Sequence, residues 1–264
     1  MESGPTGAGG EPENHMSQVS EGKVWQDPRQ AENYLAHARR AIPLAAEQLR
    51  LAVGMAEAMA PKVEKILDLG CGDGVMGMAM MERWPGASLT LADFSDTMLV
   101  AAKERATAAE VDAELIKLDY SDPSWPGLVA GRGPFHLVVS GFSIHHQTGG
   151  RKREVYREVF DMLTAGGVFL NLDNVSSPTE KLALFFEQDF VDALVSDRVR
   201  RGLAPDREAI YKEWWTRRKE DLVCCSPLEE QLGWLRDIGY ENVDCFFKYL
   251  EFALFGGNKP TVNI

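Results

Sequence analysis

The chain is short of positive charge, of cysteine and of long apolar runs, and each shortage closes a class of function. Its 28 Lys and Arg stand against 40 Asp and Glu, a formal net charge of −12. Grip on nucleic acid comes largely from neutralising phosphates with Lys and Arg, so no nucleic-acid partner is expected. The four cysteines, Cys71, Cys224, Cys225 and Cys245, form no Cys-x-x-Cys pair. That supports neither a disulfide framework nor a structural zinc site, and adjacent Cys224 and Cys225 read as packing residues. No stretch approaches the roughly 20 apolar residues of a membrane helix, and the N-terminus lacks the basic, apolar and small-residue succession of a secretory signal. A soluble, cytoplasmic protein without a membrane partner is the expectation. What remains is 264 residues, 45% hydrophobic and 26% charged, enough for one large α/β domain or a domain with a subdomain.

Residues 1–22 are rich in Gly, Glu, Pro and Ser and carry no Lys or Arg, the composition of a disordered tail. Residues 23–60 read as an N-terminal helical cap. Runs of Ala, Leu, Met and Glu around Tyr34, Leu35, Ile42, Leu49 and Val53 predict one or two amphipathic helices broken near Pro43. From residue 61 onward short apolar runs alternate with helical stretches. Residues 65–70, 88–93, 113–118, 135–140 and 167–172 read as strands, and 75–83, 96–109 and 151–163 as helices. Strict alternation with short Gly, Asp and Pro connectors is the signature of a parallel sheet covered on both faces. Residues 178–222 interrupt it with two or more helices carrying Phe185, Phe186, Phe190, Tyr211, Trp214 and Trp215. This insertion is expected over the carboxyl ends of the strands, where such sheets bind ligands. A last helix to Ile238 and the 241–256 stretch, long enough for a hairpin, complete the chain.

Residues 66–74, ILDLGCGDG, put Asp68 near the end of a strand and Gly70, Gly72 and Gly74 in the turn after it. Glycines there let the backbone approach a ligand, and the next helix offers unpaired N–H groups. Gly72, Gly74 and Gly77 also satisfy G-x-G-x-x-G, so a dinucleotide has to be considered. Three acids favour a nucleoside that carries an amino acid instead. Asp68 is placed to receive an ammonium, Asp93 ends the second strand where a carboxylate accepts two ribose hydroxyls, and Asp119 with Tyr120 follows the third strand, where an acid accepts from a purine amine.

The ordered set ILDLGCGDG, LADFSDTML, LDYSD, FHLVVSGFSIHH and LTAGGVFL resembles class I S-adenosylmethionine-dependent methyltransferases over residues 60–175. The resemblance implies a doubly wound, Rossmann-like α/β fold: a seven-stranded sheet with a C-terminal antiparallel hairpin and a helical insertion or lid. It implies S-adenosyl-L-methionine as cofactor, with the methionine portion held at Asp68, Gly70 and Gly72, the ribose at Asp93 and the adenine at Asp119. Cys71, Phe94, Met98, Tyr120 and Ser140 are expected around the same ligand. The stretches 39–59, 177–190 and 226–257 are also similar to carboxy-S-adenosylmethionine synthase and its small-molecule methyltransferase relatives. In that synthase a basic residue of the inserted helices reads an extra carboxylate. Arg217 and Arg218 lie in the corresponding region, but YKEWWTRRKED matches the synthase pattern poorly.

His145 and His146 follow the fourth strand, where donor and acceptor should meet. An imidazole suits general-base work there, although either ring could simply pack or orient the loop. Adjacent histidines should point apart, which argues against a metal pair. Tyr34, Phe142, Trp214 and Arg218 are the further acceptor-side candidates. Tyr211, Trp214 or Trp215, and Arg218 share one helical face by spacing, forming either an aromatic and cationic wall or the insertion's packing seam. The basic run from Arg198 to Lys219 reads as a solvated face and as the first place to seek an anionic substrate group. Together these readings predict a methyltransferase acting on a small molecule, in a chain that allows a homodimer without fixing one.

Overall fold

The computed structural model describes residues 42–222 and 224–261, with the backbone alone at 213 and 216–222. The expected tail 1–22 and the cap from 23 to 41, Tyr34 included, lie outside the described residues. Helix α1 (Ala45–Met59) begins two residues after Pro43, and Leu44 before it takes a left-handed conformation, φ 59°. The break expected near Pro43 is therefore the start of a helix.

Seven strands form one sheet in the order β3-β2-β1-β4-β5-β7-β6. They are β1 (Lys65–Leu69), β2 (Ser88–Asp93), β3 (Ala113–Lys117), β4 (Phe135–Gly141), β5 (Leu163–Asn174), β6 (Glu241–Tyr249) and β7 (Phe252–Asn258). The first five are parallel, and β7 runs antiparallel to both β5 and β6. This is the doubly wound, Rossmann-like sheet with its C-terminal hairpin. The fifth strand is longer than the run 167–172 suggests, because pairing with β4 on one side and β7 on the other carries it through Asn174.

Successive strand residues serve opposite cores. Ile66, Leu137, Val168 and Leu254 join one cluster, beneath α1, α2 (Val75–Arg83) and α3 (Asp96–Ala108). Leu67, Val138, Phe169 and Phe255 join the other, beneath α5 (Gly149–Met162) and α8 (Leu228–Ile238), with the short α4 (Pro126–Val129) at its border. A period of two with both faces buried yields continuous apolar strands, and each fully buried Leu, Ile, Val or Phe contributes about 1.5–3 kcal/mol.

The insertion forms α6 (Glu180–Arg200) and α7 (Arg207–Leu222). Thr179 caps α6 by accepting from Leu182 N at 3.3 Å. Phe186, Phe190, Val191, Ile210 and Trp214 make a third cluster, closed by Phe252 from β7. Of the basic run, Arg207 pairs with Asp192 at 2.9 Å and Arg200 with Asp197 at 3.4 Å, while the side chains of Arg217, Arg218 and Lys219 lie outside the described residues. No described helix is long and apolar enough to cross a membrane. Strand order reverses between β1 and β4, which opens a crevice at their carboxyl ends, and the insertion reaches over it.

Candidate functional site

The turn after β1 is shaped by a close approach. Gly70 has φ +67°, and a Cβ on it would lie 1.9 Å from the Ser143 hydroxyl. Its N–H and that of Cys71 donate to Ala92 O at 2.8 and 2.9 Å, which ties the turn to the end of β2. Asp68, buried, accepts from Gly77 N at 2.7 Å through Oδ2. A Cβ on Gly77 would meet Leu91 at 2.9 Å and Asp68 Oδ2 at 3.0 Å, so this glycine serves helix-to-strand packing.

Asp93 is likewise buried. Its Oδ2 accepts from Gly72 N at 2.8 Å and its Oδ1 from Ser95 N at 2.9 Å. Burial holds its pKa above the ordinary carboxylate value, with backbone N–H groups of Ser95, Gly72 and Phe94 pulling the other way. Asp119 is exposed and accepts from Ser121 N at 2.9 Å. Beside it the Tyr120 phenol, buried and pushed up by desolvation, is 2.6 Å from Ser143 Oγ. Helix α5 pins this loop: Arg151 Nε donates to Tyr120 O at 2.9 Å while its two terminal nitrogens grip Glu158 at 2.8 and 2.7 Å.

A cavity of about 260 Å³ runs from these groups to the insertion. At its far end His145 is buried, with Nδ1 2.5 Å from Asp173 Oδ1. Asp173 also accepts from Asn174 N at 3.0 Å and from Asn171 Nδ2 at 3.4 Å. With Nδ1–H donating to this carboxylate, the imidazole presents Nε2 as its acceptor, 3.4 Å from the Asn174 amide nitrogen. Phe142, the first residue after β4, holds φ 52°, a sparsely populated conformation for a ring-bearing residue, and stands edge-on to Phe252 at 5.3 Å.

The sequence candidates divide clearly. Asp68, Gly70, Cys71 and Gly72 line the cavity, as do Asp93, Phe94, Met98, Asp119 and Tyr120. Phe142, His145, His146 and Trp214 line it from the other side. Ser140 does not: it is fully buried inside β4 and its hydroxyl donates to Leu69 O at 2.7 Å, so it joins two strands instead of facing the cavity. Tyr34 lies outside the described residues, and of Arg218 only the backbone is described. The expectation that the two histidines point apart is corrected, since a 3₁₀ turn over Ile144–His146 brings their rings to 3.9 Å. Trp214 packs on Phe190 at 6.0 Å, as the packing-seam reading expects, and also lines the cavity; Trp215 instead stacks with Tyr211 at 6.2 Å.

Sequence reasoning missed Asp173, Asn174 and Phe252. A signal existed for the first two, a polar Asp-Asn pair ending a strand, GVFLNLDN, that is apolar before it except for Asn171. Lys152 was missed as well. It is fully buried in α5, donates to Cys224 O and, at 3.2 Å, to Ser226 Oγ, and thereby fastens the segment that returns from the insertion. Burial lowers its pKa, with the charge of Asp173 the largest opposing influence.

Residues 66–167 match the family model described as a methyltransferase domain. A carboxy-S-adenosyl-L-methionine synthase of Nautilia profundicola is 21% identical over 82% of this chain and 86% of its own length. Among solved structures, an O-methyltransferase family protein from Burkholderia thailandensis aligns with TM-score 0.58 and 17% identity over 92% of this chain. The chain spans 64% of that protein's length. The plantazolicin methyltransferase BpumL, solved with S-adenosylhomocysteine, aligns with TM-score 0.62 and 14% identity over 92% of this chain and 95% of its own. The last two likenesses establish the shared fold.

Gly70→Ala is expected to lower the thermal midpoint by several degrees, since both the 1.9 Å approach to Ser143 and the positive φ oppose a methyl group. Adding Ser143→Gly should restore only part of the loss, because the backbone strain of about 1–2 kcal/mol persists. Unchanged midpoints in a melting series of the three proteins would refute this account of the turn.

Proposed function

We propose that this S-adenosylmethionine-dependent methyltransferase, carrying its methyltransferase domain over residues 66–167, methylates a protic group on a small-molecule acceptor, with His145 as general base. One observation carries the reading: the buried His145–Asp173 pair opens into the same cavity as the glycine turn, Asp68 and Asp93.

The donor half fits the cofactor chemically. A turn that excludes a Cβ at Gly70 leaves the backbone open to close approach, and Asp93 and Asp119 present carboxylates along one wall for a ribose diol and a purine amine. Asp68 lies deeper, on the side suited to an ammonium, while Cys71, Phe94, Met98 and Tyr120 supply flanking surface. Bound here, S-adenosylmethionine supplies an electrophilic methyl on a sulfonium whose leaving group is a neutral thioether. His145 Nε2 takes the proton of the acceptor, and Asp173 holds the ring's tautomer and stabilises the imidazolium. Phe142 and Trp214 position the acceptor, and helices α6 and α7 keep water out.

A carboxy-S-adenosylmethionine synthase is the second reading, favoured by the long alignment with the Nautilia protein. It calls for a cation that reads a carboxylate, and none of the described lining residues is Lys or Arg. Mass spectrometry of ligand released from the purified protein separates the two: S-adenosylmethionine or S-adenosylhomocysteine supports methyl transfer, and a carboxylated cofactor supports the synthase.

Protonation of Asp93 removes an acceptor for the ribose. Since burial raises its pKa, donor affinity should weaken on acidification at a pH above the ordinary carboxylate range and be fully present above the raised value. Calorimetric titration across pH should show this step in the wild type. In Asp93→Asn the step should be absent and the affinity lower by about 10- to 100-fold at neutral pH, the worth of one or two charge-assisted hydrogen bonds. A pH-independent affinity in the wild type would remove Asp93 from the site.

His145→Gln should lower kcat by about 10²- to 10⁴-fold and leave donor affinity within a factor of about 2. Asp173→Asn should lower kcat in the same sense by releasing the tautomer. Steady-state kinetics with an identified acceptor and calorimetry with S-adenosylhomocysteine check both, and an unchanged kcat in His145→Gln would exclude the base.

A further inference from the structure

We infer that Arg151 and Glu158, two residues of helix α5 that do not line the cavity, set the purine specificity of the donor site by clamping both ends of the loop that carries Asp119. The inference rests on the assignment of Asp119 to the adenine amine made above. Arg151 is a positioning residue, acting through the backbone of Tyr120.

The loop needs an outside anchor because of where it starts. Strand β3 is an edge of the sheet and pairs with β2 alone. Leu118 N still donates to Asp93 O at 2.9 Å, and from Asp119 onward the backbone bonds are local. Exposed Asp119 accepts from Ser121 N at 2.9 Å, Asp122 N donates to Asp119 O at 3.2 Å, and Trp125 N donates to Asp122 O at 3.1 Å. Turns of this kind shape a loop without fixing it to the rest of the fold. The direction of the Asp119 carboxylate is therefore set by what holds Tyr120 and Trp125.

Helix α5 holds both. Arg151 and Glu158 stand seven residues apart, two turns, and so share one face. Arg151 Nε donates to Tyr120 O at 2.9 Å. Its Nη1 donates to Glu158 Oε1 at 2.8 Å and to Glu154 at 2.9 Å, and its Nη2 to Glu158 Oε2 at 2.7 Å. Glu158 Oε2 in turn accepts from Trp125 Nε1 at 2.5 Å. A guanidinium is planar, so the fork onto Glu158 fixes the direction in which Nε–H meets Tyr120. The Arg151 side chain is 10% exposed and Trp125 is buried, which leaves water little chance to compete. On its other side Tyr120 is held through its phenol, 2.6 Å from Ser143 Oγ.

What depends on this placement is narrow. A carboxylate accepts from an amine and repels a carbonyl, so an acid held at the amine position separates adenine from a purine with oxygen there, and an acid free to swing does not. The contacts assigned to ribose and methionine belong to β1, β2 and the glycine turn, where Asp68 meets Gly77 N and Asp93 meets Gly72 N and Ser95 N. Loosening the clamp should cost base discrimination first.

The test is calorimetric titration of the full chain with S-adenosylhomocysteine and with its 6-oxo analogue, S-inosylhomocysteine. The wild type is expected to favour the adenosyl ligand at least about 10-fold, and Asp119→Asn to bring the two within about 3-fold. Arg151→Met combined with Glu158→Gln removes the ion pair as a unit and leaves Trp125 an acceptor. This double variant should also bring the ratio within about 3-fold, by weakening the adenosyl ligand while the inosyl ligand stays within about 2-fold of its wild-type affinity. A merely destabilised protein would weaken both alike. Arg151→Lys, which can reach Tyr120 O but cannot fork onto Glu158 at the same time, should lie between, and it carries the comparison if the double variant fails to fold. A wild-type ratio in the folded variants overturns the clamp. A wild type that binds both ligands equally, or a ratio that survives Asp119→Asn, overturns the adenine assignment and the clamp with it, and binding of neither ligand overturns the donor reading itself.

Discussion

A carboxylate in a protein core must be met on every side, and Asp173 imposes that requirement directly behind His145, which lines the cavity. It sits at the end of β5, where His145, Asn171 and the backbone N–H of Asn174 supply its hydrogen bonds and the buried Lys152 adds a favourable charge. The polar seam continues inward. Asn171 donates to Tyr156 Oη at 3.3 Å, Tyr156 donates to Gln231 Oε1 at 2.6 Å, and Gln231 donates to Ser226 O at 3.0 Å. Lys152 closes it through Cys224 O and Ser226 Oγ. One network thus joins the loop after β4, the β5 end, helix α5, helix α8 and the segment returning from the insertion. Removing one partner of such a buried ion typically costs about 3–5 kcal/mol, so the imidazole and the insertion's attachment are held by the same constraint.

The donor half is held by shorter connections. Asp93 spans the turn after β1 and the start of α3 through Gly72 N and Ser95 N, so the ends of β1 and β2 cannot part without uncovering a buried charge. Ser143 fills the space Gly70 leaves, and its hydroxyl meets Tyr120. Arg151 secures that loop from below by its bonds to Tyr120 O and Glu158, while Trp125 Nε1 donates to the same Glu158 at 2.5 Å. Helix α5 therefore serves both halves, Arg151 toward the third strand's loop and Lys152 toward the seam. Consecutive helix positions face different neighbours, and that divergence lets one helix do both.

What the sequence disclosed follows from locality. Strands β1 to β5 alternate with helices at a period any window can detect, and the glycines at 70, 72 and 74 sit beside the acid they accompany. The C-terminal hairpin and the two-helix insertion were legible for the same reason, as lengths and patterns. Partner identity was not. Nothing near His145 in sequence names Asp173, 28 residues on, because their meeting depends on β4 and β5 being neighbours in register. Phe252 is equally silent until β7 inserts between β5 and β6 and turns its first residue toward Phe186. Ser140 shows the opposite failure: it sits in the expected stretch, but strand parity turns it inward to Leu69 O.

The uneven distribution of charge along the cavity bears on the chemistry as well as on recognition. Carboxylates line the half assigned to the donor, and rings line the half assigned to the acceptor. Acids on the donor side favour a sulfonium cation over the neutral thioether left after transfer, which by itself would oppose turnover. The aromatic side supplies the counterweight. On the proposed methyl-transfer reading, an acceptor that lost its proton to His145 would carry negative charge toward the donor's positive charge, and in poorly polarisable surroundings that neutralisation would be worth more than in water. On that reading the acceptor's proton would rest on His145, whose Nδ1 lies 2.5 Å from Asp173 Oδ1, so the charge separation left after transfer would fall on the buried pair.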